Sequence, residues 1–186
     1  MRMIRTSRLR LVPVTAANAA MLWQVLQEPD LREYQDLPDV NRDQFTRVVG
    51  NRPTRFAPGS VGRFEWLVHF LASRNEPVGW VSLRIAETNR AMAEIGYSVV
   101  RAHRQRGIAS EAVAALIDEG FSRARLREIR AYCLPENLSS RAVLQRNGFE
   151  DQGTLTRGAT VQGKPVDVIA HSLQRSRWEG GVSSNQ

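Results

Sequence analysis

The sequence predicts one domain of mixed α/β (α+β) structure, and three observations carry that prediction. Three β-rich segments follow one another closely, at residues 63–71, 78–85 and 93–100. The most regular helical periodicity of the chain begins directly after a turn built around Gly107. That helix is followed by a strand, a second helix and a last strand. This order is typical of an antiparallel meander that leads into a strand–helix–strand unit.

The first half of the chain is predicted to run strand, helix, helix and then meander. An apolar run at residues 9–14 indicates a short strand, and residues 16–26 carry apolar side chains at helical spacing. Residues 41–49 indicate a second helix. Residues 53–62 contain proline and glycine and indicate a loop before the first strand of the meander.

The second half contains the clearest helix of the chain. Its apolar and small residues recur at three- and four-residue spacing, at Ala109, Ala112, Val113, Leu116, Ile117, Gly120 and Phe121. Residues 129–134 are then predicted as a strand, and residues 139–146 as a short helix that ends at Asn147-Gly148. Residues 166–173 are predicted as the last strand.

Length and composition also favour one domain. The chain has 186 residues, of which 42% are hydrophobic and 24% charged, and no internal repeat or linker divides it. A domain of this size buries roughly 70% of the surface that its unfolded chain exposes. We expect a single domain over residues 1–175 and a flexible tail over residues 176–186, where glycine and serine accumulate.

Charge and cysteine content exclude several classes of protein. The net charge of +7 is carried almost entirely by arginine, with Lys164 as the only lysine, and it suits acidic partners without naming one. Cys133 is the only cysteine, which excludes a disulfide framework and a metal site built from several cysteines. No apolar run approaches the roughly 20 residues of a membrane span. We expect a cytoplasmic protein with no membrane partner and no metal.

The segment from Arg104 to Glu111, Arg-Gln-Arg-Gly-Ile-Ala-Ser-Glu, is the most informative for function. It places Gly107 between a predicted strand and the start of the best helix. Backbone N–H groups at a helix N-terminus have no partner inside the helix and lie at its positive end, where a phosphate binds well. Glycine permits close approach of that phosphate. The segment therefore predicts a site for an anionic, nucleotide-like cofactor.

The context of this turn resembles a known family. The matching pieces are Thr6-Ser7-Arg8-Leu9-Arg10-Leu11, Glu94-Ile95-Gly96-Tyr97, Asn137-x-x-Ser140 and Asn147-Gly148-Phe149. In this order they resemble the GNAT family of acetyl-CoA-dependent N-acetyltransferases. Within it they are similar to the RimJ/RimL-like branch of ribosomal-protein alanine N-acetyltransferases. The resemblance implies a mixed, mostly antiparallel central sheet of about six to seven strands, flanked by helices and splayed between strands 4 and 5.

The resemblance also implies which residues bind acetyl-CoA, the expected co-substrate. The turn and the first helical residues would hold the pyrophosphate: Arg104, Gln105, Arg106, Gly107, Ile108, Ala109 and Ser110. The splayed strand would hydrogen-bond the pantetheine arm through Ser98, Val99 and Val100, much as a sheet edge accepts a peptide. Asn137 would contact the same arm with its amide. The other partner would be a primary amine, on a protein N-terminus or on a small molecule.

Two side chains are candidates for the proton transfers that amine acetylation requires. Glu94 is the candidate base, since its in-phase neighbours Gly96 and Ser98 are small and leave room for a ligand. By the resemblance, Ser140 is the candidate acid that returns a proton to the CoA thiolate. Many enzymes of the family use a tyrosine seven residues after the asparagine, where this chain has Leu144.

Each candidate also has a purely structural interpretation. Glu94 could be a strand carboxylate paired with an arginine, and both Ser140 and Asn137 suit a helix N-terminal cap. The arginines of residues 101–106 could form a solvated basic face. Asp36, Asp39 and Asp43, in the variable segment 29–62 that also contains Arg55, could draw a cationic amine or only keep a loop soluble.

Two other functions stay open beside acetyl transfer. A protein of the same fold could bind acyl-CoA as a sensor without transferring the acyl group. The +7 charge and the cluster at Arg123, Arg125, Arg127 and Arg130 would also suit a basic nucleic-acid-binding module. The aromatic residues do not alternate with the basic runs, so nucleic acid is not the expected partner. A homodimer is left open.

Overall fold

The computed structural model describes residues 1–29, 31–34, 40–73 and 76–183. Eight strands of these ranges form one sheet in the order β1-β2-β3-β4-β5-β6-β8-β7. The strands are β1 (Ile4–Arg5), β2 (Leu9–Pro13), β3 (Gly62–Phe70), β4 (Gly79–Ala86), β5 (Asn89–Val99), β6 (Glu128–Cys133), β7 (Glu150–Val161) and β8 (Lys164–Gln174). All neighbours are antiparallel except β5 and β6, which are parallel. The mixed, mostly antiparallel sheet is confirmed, with eight strands rather than six to seven.

Six helices accompany the sheet within the described ranges. They are α1 (Ala19–Leu26), α2 (Leu31–Tyr34), α3 (Arg42–Gly50), α4 (Ile108–Asp118), α5 (Leu138–Arg146) and α6 (Arg175–Ser183). Helix α4 continues into a π-helical turn at Glu119–Arg123. Helix α3 begins at a capping box, in which Asn41 accepts from the Gln44 N–H and the Gln44 side chain accepts from the Asn41 N–H.

Alternation along the strands sends two sets of side chains to opposite faces of the sheet. Residues such as Phe64, Leu83 and Ile95 share one core with α4 and α5. The other face buries Leu67 and Trp80 beneath α1 and α3. The larger core lies under α4, so this helix and the turn that starts it are held firmly against β4 and β5.

The parallel pair β5 and β6 separates soon after it forms. Their register covers only Met92–Glu94 against Glu128–Arg130, whereas β5 pairs with β4 as far as Val99. The predicted splay is therefore confirmed, with β5 and β6 as the fourth and fifth strands of the family pattern. It leaves a gap between the second half of β5 and β6, and α4 and α5 both begin beside this gap.

Four elements were not predicted, namely the short β1 and α2, strand β7 and helix α6. Strand β7 is exposed along almost its whole length, so neither of its faces shows the alternation that identifies a half-buried strand. The segment predicted as a flexible tail from residue 176 contains most of α6, which begins at Arg175, and Trp178 packs against Phe121 with ring centroids 5.4 Å apart. Residues 184–186 of that tail, and Asp36 and Asp39, lie outside the described residues.

We expect Trp178→Ala to lower the free energy of unfolding by about 2 kcal/mol. The change removes the half-buried indole that packs against the fully buried ring of Phe121. Urea unfolding followed by circular dichroism measures this loss. Val48→Ala in α3 is the control, since Val48 is 60% exposed and its truncation should cost under about 0.5 kcal/mol. Equal effects of the two changes would show that α6 does not stabilise the fold.

Candidate active site

A cleft of about 1120 Å³ opens where β5 and β6 separate. It is lined by parts of both strands, by the start of α4 and by α5, with β3 and β4 forming the floor. Most of the residues predicted for cofactor binding and catalysis line it, namely Glu94, Ser98, Val99, Arg104, Gln105, Gly107, Ile108, Ala109, Ser110, Asn137 and Ser140. Val100 and Arg106 do not.

The turn before α4 has the geometry of an anion site. Gly107 is the N-cap of α4 at φ 73°, and Gln105 is also left-handed at φ 59°. The N–H groups of Ile108, Ala109 and Ser110 begin the helix and have no carbonyl partner within it. They line the cleft at the positive end of the helix. The turn can therefore accept a phosphate through several main-chain N–H groups at once.

The N-terminal segment holds this turn in place through Glu111, in the first turn of α4. Oε1 of Glu111 accepts hydrogen bonds from Thr6 Oγ1 at 2.5 Å, Ser7 Oγ at 3.1 Å and Arg8 N at 3.0 Å. Oε2 accepts from Arg8 Nε at 2.6 Å. Arg8 Nη1 also donates to the Arg106 carbonyl at 3.0 Å. We call Thr6, Ser7, Arg8 and Glu111 the clamp, because they tie the glycine turn to the start of β2.

The splayed end of β5 offers fewer main-chain groups than the sequence predicts. Val100 N–H donates to the Val78 carbonyl and the Val100 carbonyl accepts from His103 N–H, both at 2.9 Å, so the N–H of Val100 is already used within the protein. Main-chain groups alternate between the two edges of a strand, and the N–H of Val99 therefore points into the gap. The Val99 carbonyl accepts from Arg104 Nε at 2.8 Å, which links β5 to the turn.

Glu94 lies on the floor of the cleft and forms an ion pair with Arg84, its cross-strand neighbour in β4. The pairing with an arginine that the sequence left open is thus present, while the carboxylate still lines the cleft. The room expected beside Gly96 is already filled. A Cβ at Gly96 would lie 2.9 Å from Ser82 Oγ and 3.3 Å from the Trp80 ring, so glycine here makes space for Trp80.

Ser140 and Asn137 meet at the start of α5. Asn137 is the N-cap, and its Oδ1 accepts from Ser140 N at 3.0 Å and from Ser139 Oγ at 2.9 Å. The Ser140 hydroxyl lies 2.8 Å from the Tyr97 hydroxyl, which also donates to the Ser140 carbonyl at 3.1 Å. Asn137 therefore has a capping role, and the Ser140 hydroxyl is held from the β5 side.

Burial keeps the groups around Ser140 protonated. Burial raises the pKa of Tyr97 well above its usual value, the hydrogen bond from Ser140 opposes this, and Cys133 adds to it. Burial also raises the pKa of the Cys133 thiol, against the lowering effects of Arg141 and Ser140. At neutral pH, the Tyr97 phenol and the Cys133 thiol are therefore both uncharged.

The candidate base and the candidate acid reach the cleft from opposite faces of the sheet. Glu94 and Tyr97 are three residues apart on β5, so alternation directs their side chains to opposite sides. Ser140 lies on the Tyr97 side through its hydrogen bond to that hydroxyl. Both Glu94 and Ser140 line the cleft that opens at the gap between β5 and β6. Such an arrangement suits a reaction that removes one proton and returns another.

Comparison with known proteins agrees with this geometry. The family model described as Acetyltransferase (GNAT) domain matches residues 8–150. The chain belongs to the GNAT acetyltransferase family. This GNAT chain is 29% identical over 181 residues to the uncharacterized N-acetyltransferase p20 of Bacillus licheniformis, with 97% of this chain and 100% of that protein covered.

Two further matches are acetyltransferases that act on ribosomal proteins. The ribosomal-protein-serine acetyltransferase of Escherichia coli is 36% identical over 94 residues, which cover 50% of this chain and 52% of that protein. The structure of RimL, a ribosomal L7/L12 α-N-protein acetyltransferase in complex with coenzyme A, superposes with a TM-score of 0.78 at 22% identity. The match covers 93% of this chain and 98% of RimL, and it shows a common fold.

Within the described ranges, no helix is long and apolar enough to cross a membrane. No group of three or more histidine, cysteine, aspartate or glutamate side chains there could hold a metal ion.

Several residues of the site escaped the sequence analysis. Tyr97 was named only as part of a family motif and was given no role. Its position three residues after Glu94 already indicates that the two side chains lie on opposite faces of β5. Arg84 and Trp80 approach β5 through the register of β4, which no local pattern specifies. Glu111 stood in the glycine-turn segment, but its partners Thr6 to Arg8 are about a hundred residues away.

The clamp makes stability depend on the charge of Glu111. Partial burial raises the pKa of Glu111, but the hydrogen bonds from Thr6, Arg8 and Ser7 outweigh it and hold the pKa below its usual 4.5. The stabilisation is thus complete above about pH 4.5 and is lost as the pH falls through the folded-state pKa.

We expect Glu111→Gln to cost about 2 kcal/mol of unfolding free energy at pH 7, because charged hydrogen bonds are replaced by weaker ones. Urea unfolding at pH 7, 5 and 3 should show a difference that is the same at the first two and smaller at pH 3. Glu87→Gln is the matched control, since Glu87 is 67% exposed and pairs only with Arg90 among the described residues. A difference that grows toward pH 3 would contradict this.

Proposed function

We propose that this chain transfers the acetyl group of acetyl-CoA to a primary amine by direct attack in a ternary complex. The amine is a protein N-terminal α-amine or that of a small molecule. One observation carries the proposal: an anion-binding helix start, a carboxylate and a hydroxyl all open onto the gap between β5 and β6. Residues 1–175 form the acetyltransferase domain of this proposal, with α6 packed onto it.

In the proposed complex the glycine turn holds the CoA pyrophosphate. The N–H groups from Gln105 to Ser110 surround it, and Arg104 and Arg106 add positive charge. The fit rests on the left-handed Gly107 and on a helix start that faces the cleft. The pantetheine arm lies along the unpaired edge of β5, where the Val99 N–H points into the gap, and Asn137 offers its side-chain N–H groups from α5. By the same alternation the main-chain groups of Ser98 point toward β4.

Glu94 is proposed to remove a proton from the attacking amine, directly or through water. The demand on this base depends on the amine. An α-amine with a pKa of about 7.7 to 8.0 is roughly one tenth neutral at pH 7, whereas a lysine amine near 10.4 is neutral only in a few molecules per ten thousand. An N-terminal acceptor therefore suits a carboxylate that also binds Arg84.

Ser140 is proposed to return a proton to the thiolate that leaves. Its hydroxyl is held by Tyr97, whose raised pKa keeps the phenol protonated at neutral pH. Tyr97 is thus a positioning residue. Its hydroxyl can also donate a hydrogen bond to the Ser140 oxygen as the Ser140 proton is transferred to the thiolate. The developing oxyanion of the tetrahedral intermediate needs a donor as well, and the Val99 N–H in the gap suits that role.

The direct test supplies acetyl-CoA with peptides that begin with alanine or serine, with polyamines and with aminoglycosides, and follows the release of free thiol. Turnover on at least one amine supports transfer. CoA binding by calorimetry without turnover on any amine would indicate a sensor instead. The nucleic-acid alternative is weakened by ion pairs, since Arg123 pairs with Glu119 and Arg130 with Glu128.

Gly107→Val should weaken CoA binding at least about a hundredfold, because a branched side chain at φ 73° strains the turn and approaches Arg8. Isothermal calorimetry measures the binding, and urea unfolding reports the fold. Gly59→Val is the matched control, since Gly59 has φ 77° with nothing within 4 Å of an added Cβ. Normal CoA affinity in Gly107→Val would refute the proposed position of the pyrophosphate.

Ser140→Ala should lower kcat about a hundredfold, the usual contribution of a positioned acid, and Tyr97→Phe about tenfold, because it only loosens Ser140. Glu94→Gln should also lower kcat, and the loss should shrink as the pH rises and the free amine needs less help. Steady-state kinetics from pH 6 to 9 measure all three. Unchanged kcat in Ser140→Ala would assign the acid to water.

A further inference from the structure

The floor of the cleft carries a row of charged side chains that the proposed reaction uses only in part. Arg63 of β3 pairs in register with Arg84 of β4, and Arg84 with Glu94 of β5. The next row with the same facing is Glu65, Ser82 and Gly96. All of these residues line the cleft. Arg63 is 42% exposed on its side chain, so a ligand can reach it.

The carboxylates of this floor are already engaged by other arginines. Glu94 forms its ion pair with Arg84. Glu65 is buried and forms an ion pair with Arg52, so Arg63 approaches the same carboxylate only at 4.0 Å. Three guanidinium groups thus share two carboxylates, and Arg63 has the weakest share. Glu33, an exposed residue of α2, lines the same cleft.

The electrostatic surroundings of Arg63 favour an added negative charge. Burial and then repulsion from Arg84 lower the pKa of Arg63, and Glu94 opposes this only in part. A lowered pKa means that the surroundings of Arg63 destabilise its positively charged form. A carboxylate placed beside Arg63 and Arg84 would relieve that repulsion and would form charge-assisted hydrogen bonds, which are among the strong ones.

The spacing of the strands sets the distance between this charge and the reacting amine. Neighbouring strands lie about 4.8 Å apart, so Arg63 is two spacings, or about 10 Å, from Glu94. An extended peptide advances about 3.3 Å per residue. A peptide with its α-amine at Glu94 and its chain directed across the floor advances about 6.6 Å to its third residue, which therefore lies between Arg84 at one spacing and Arg63 at two.

We propose that Arg63, with Arg84 beside it, binds a carboxylate of the acceptor, so that the preferred acceptor is a peptide with an acidic third residue. This inference rests on the proposed function, since it requires an α-amine at Glu94. It assigns to the β3 side of the cleft a role in choosing the acceptor, separate from the turn that holds the CoA pyrophosphate.

The test compares three amidated peptides, in which no C-terminal carboxylate is present: Ser-Ala-Asp-Ala-Ala, Ser-Ala-Asn-Ala-Ala and Ser-Ala-Ala-Ala-Asp. For the wild-type protein, kcat/KM with aspartate third should exceed that with asparagine third by about tenfold, the usual order for one charge-assisted contact. The peptide with aspartate in the fifth position should behave like the asparagine peptide. The preference should fall at high salt, because the site is partly exposed.

Variants then assign the preference to Arg63. In Arg63→Gln the ratio between the aspartate and asparagine peptides should fall to near one, and in Arg63→Lys part of it should remain. Arg90→Gln is the matched control, because Arg90 pairs with Glu87 away from the cleft, and its ratio should stay near ten. Since each ratio is internal to one variant, a loss of stability that slows both peptides leaves it unchanged.

The outcomes separate this inference from the proposed function. Equal turnover of all three peptides by the wild-type protein would overturn the acidic preference and leave amine acetylation standing. A tenfold preference that survives in Arg63→Gln would overturn the assignment to Arg63. No turnover of any peptide would overturn both the acidic preference and the choice of a protein N-terminus as acceptor.

Discussion

Beyond Glu94, strand β5 is paired along one edge only, and the rest of the site depends on that constraint. Its edge toward β4 is paired as far as Val99, while its edge toward β6 is paired over three residues. Main-chain groups beyond Glu94 on that edge still need partners, since an unpaired buried N–H or carbonyl is costly. The Arg104 side chain serves the Val99 carbonyl, and an extended ligand can serve the others.

The walls of the gap are fixed by side chains rather than by sheet pairing. On one side the hydroxyls of Tyr97 and Ser140 join β5 to the first turn of α5. On the other side the clamp joins α4 to the start of β2, and Arg104 joins the turn to β5. These contacts hold the positive end of α4 toward the gap. A shift of β5 relative to α4 would therefore change both the anion site and the position of Ser140.

The helices and strands that could be predicted from the sequence are those that bury one face and expose the other. The meander strands and α4 have apolar side chains on the face that meets the larger core, and this produces a period that is visible in the sequence. Strand β7 has no such face, and α6 is held by residues distant in sequence, such as Phe121 against Trp178 and the Gly148 carbonyl that accepts from Arg177. Neither leaves a local pattern.

The same distinction applies to the site. The glycine turn was predictable because its chemistry is local: a left-handed residue followed by the free N–H groups of a helix start. The pairing of Arg84 with Glu94 follows from strand register, and that of Tyr97 with Ser140 joins residues 43 positions apart. Strand register and long-range contacts are set by the whole core, so no local sequence pattern indicates them. The engagement of Val100 in the sheet was missed for that reason.

The clamp also bears on the order in which the molecule can fold. Thr6 and Arg8 bond to Glu111 across 105 and 103 positions of the chain, and Arg2 bonds to Glu119 across 117. Contacts between such distant residues form slowly, whereas the hairpins of the meander involve near neighbours. We therefore expect the central strands to assemble first and the glycine turn to reach its final shape late. The ability to hold an anion would then mark a chain that has completed its folding.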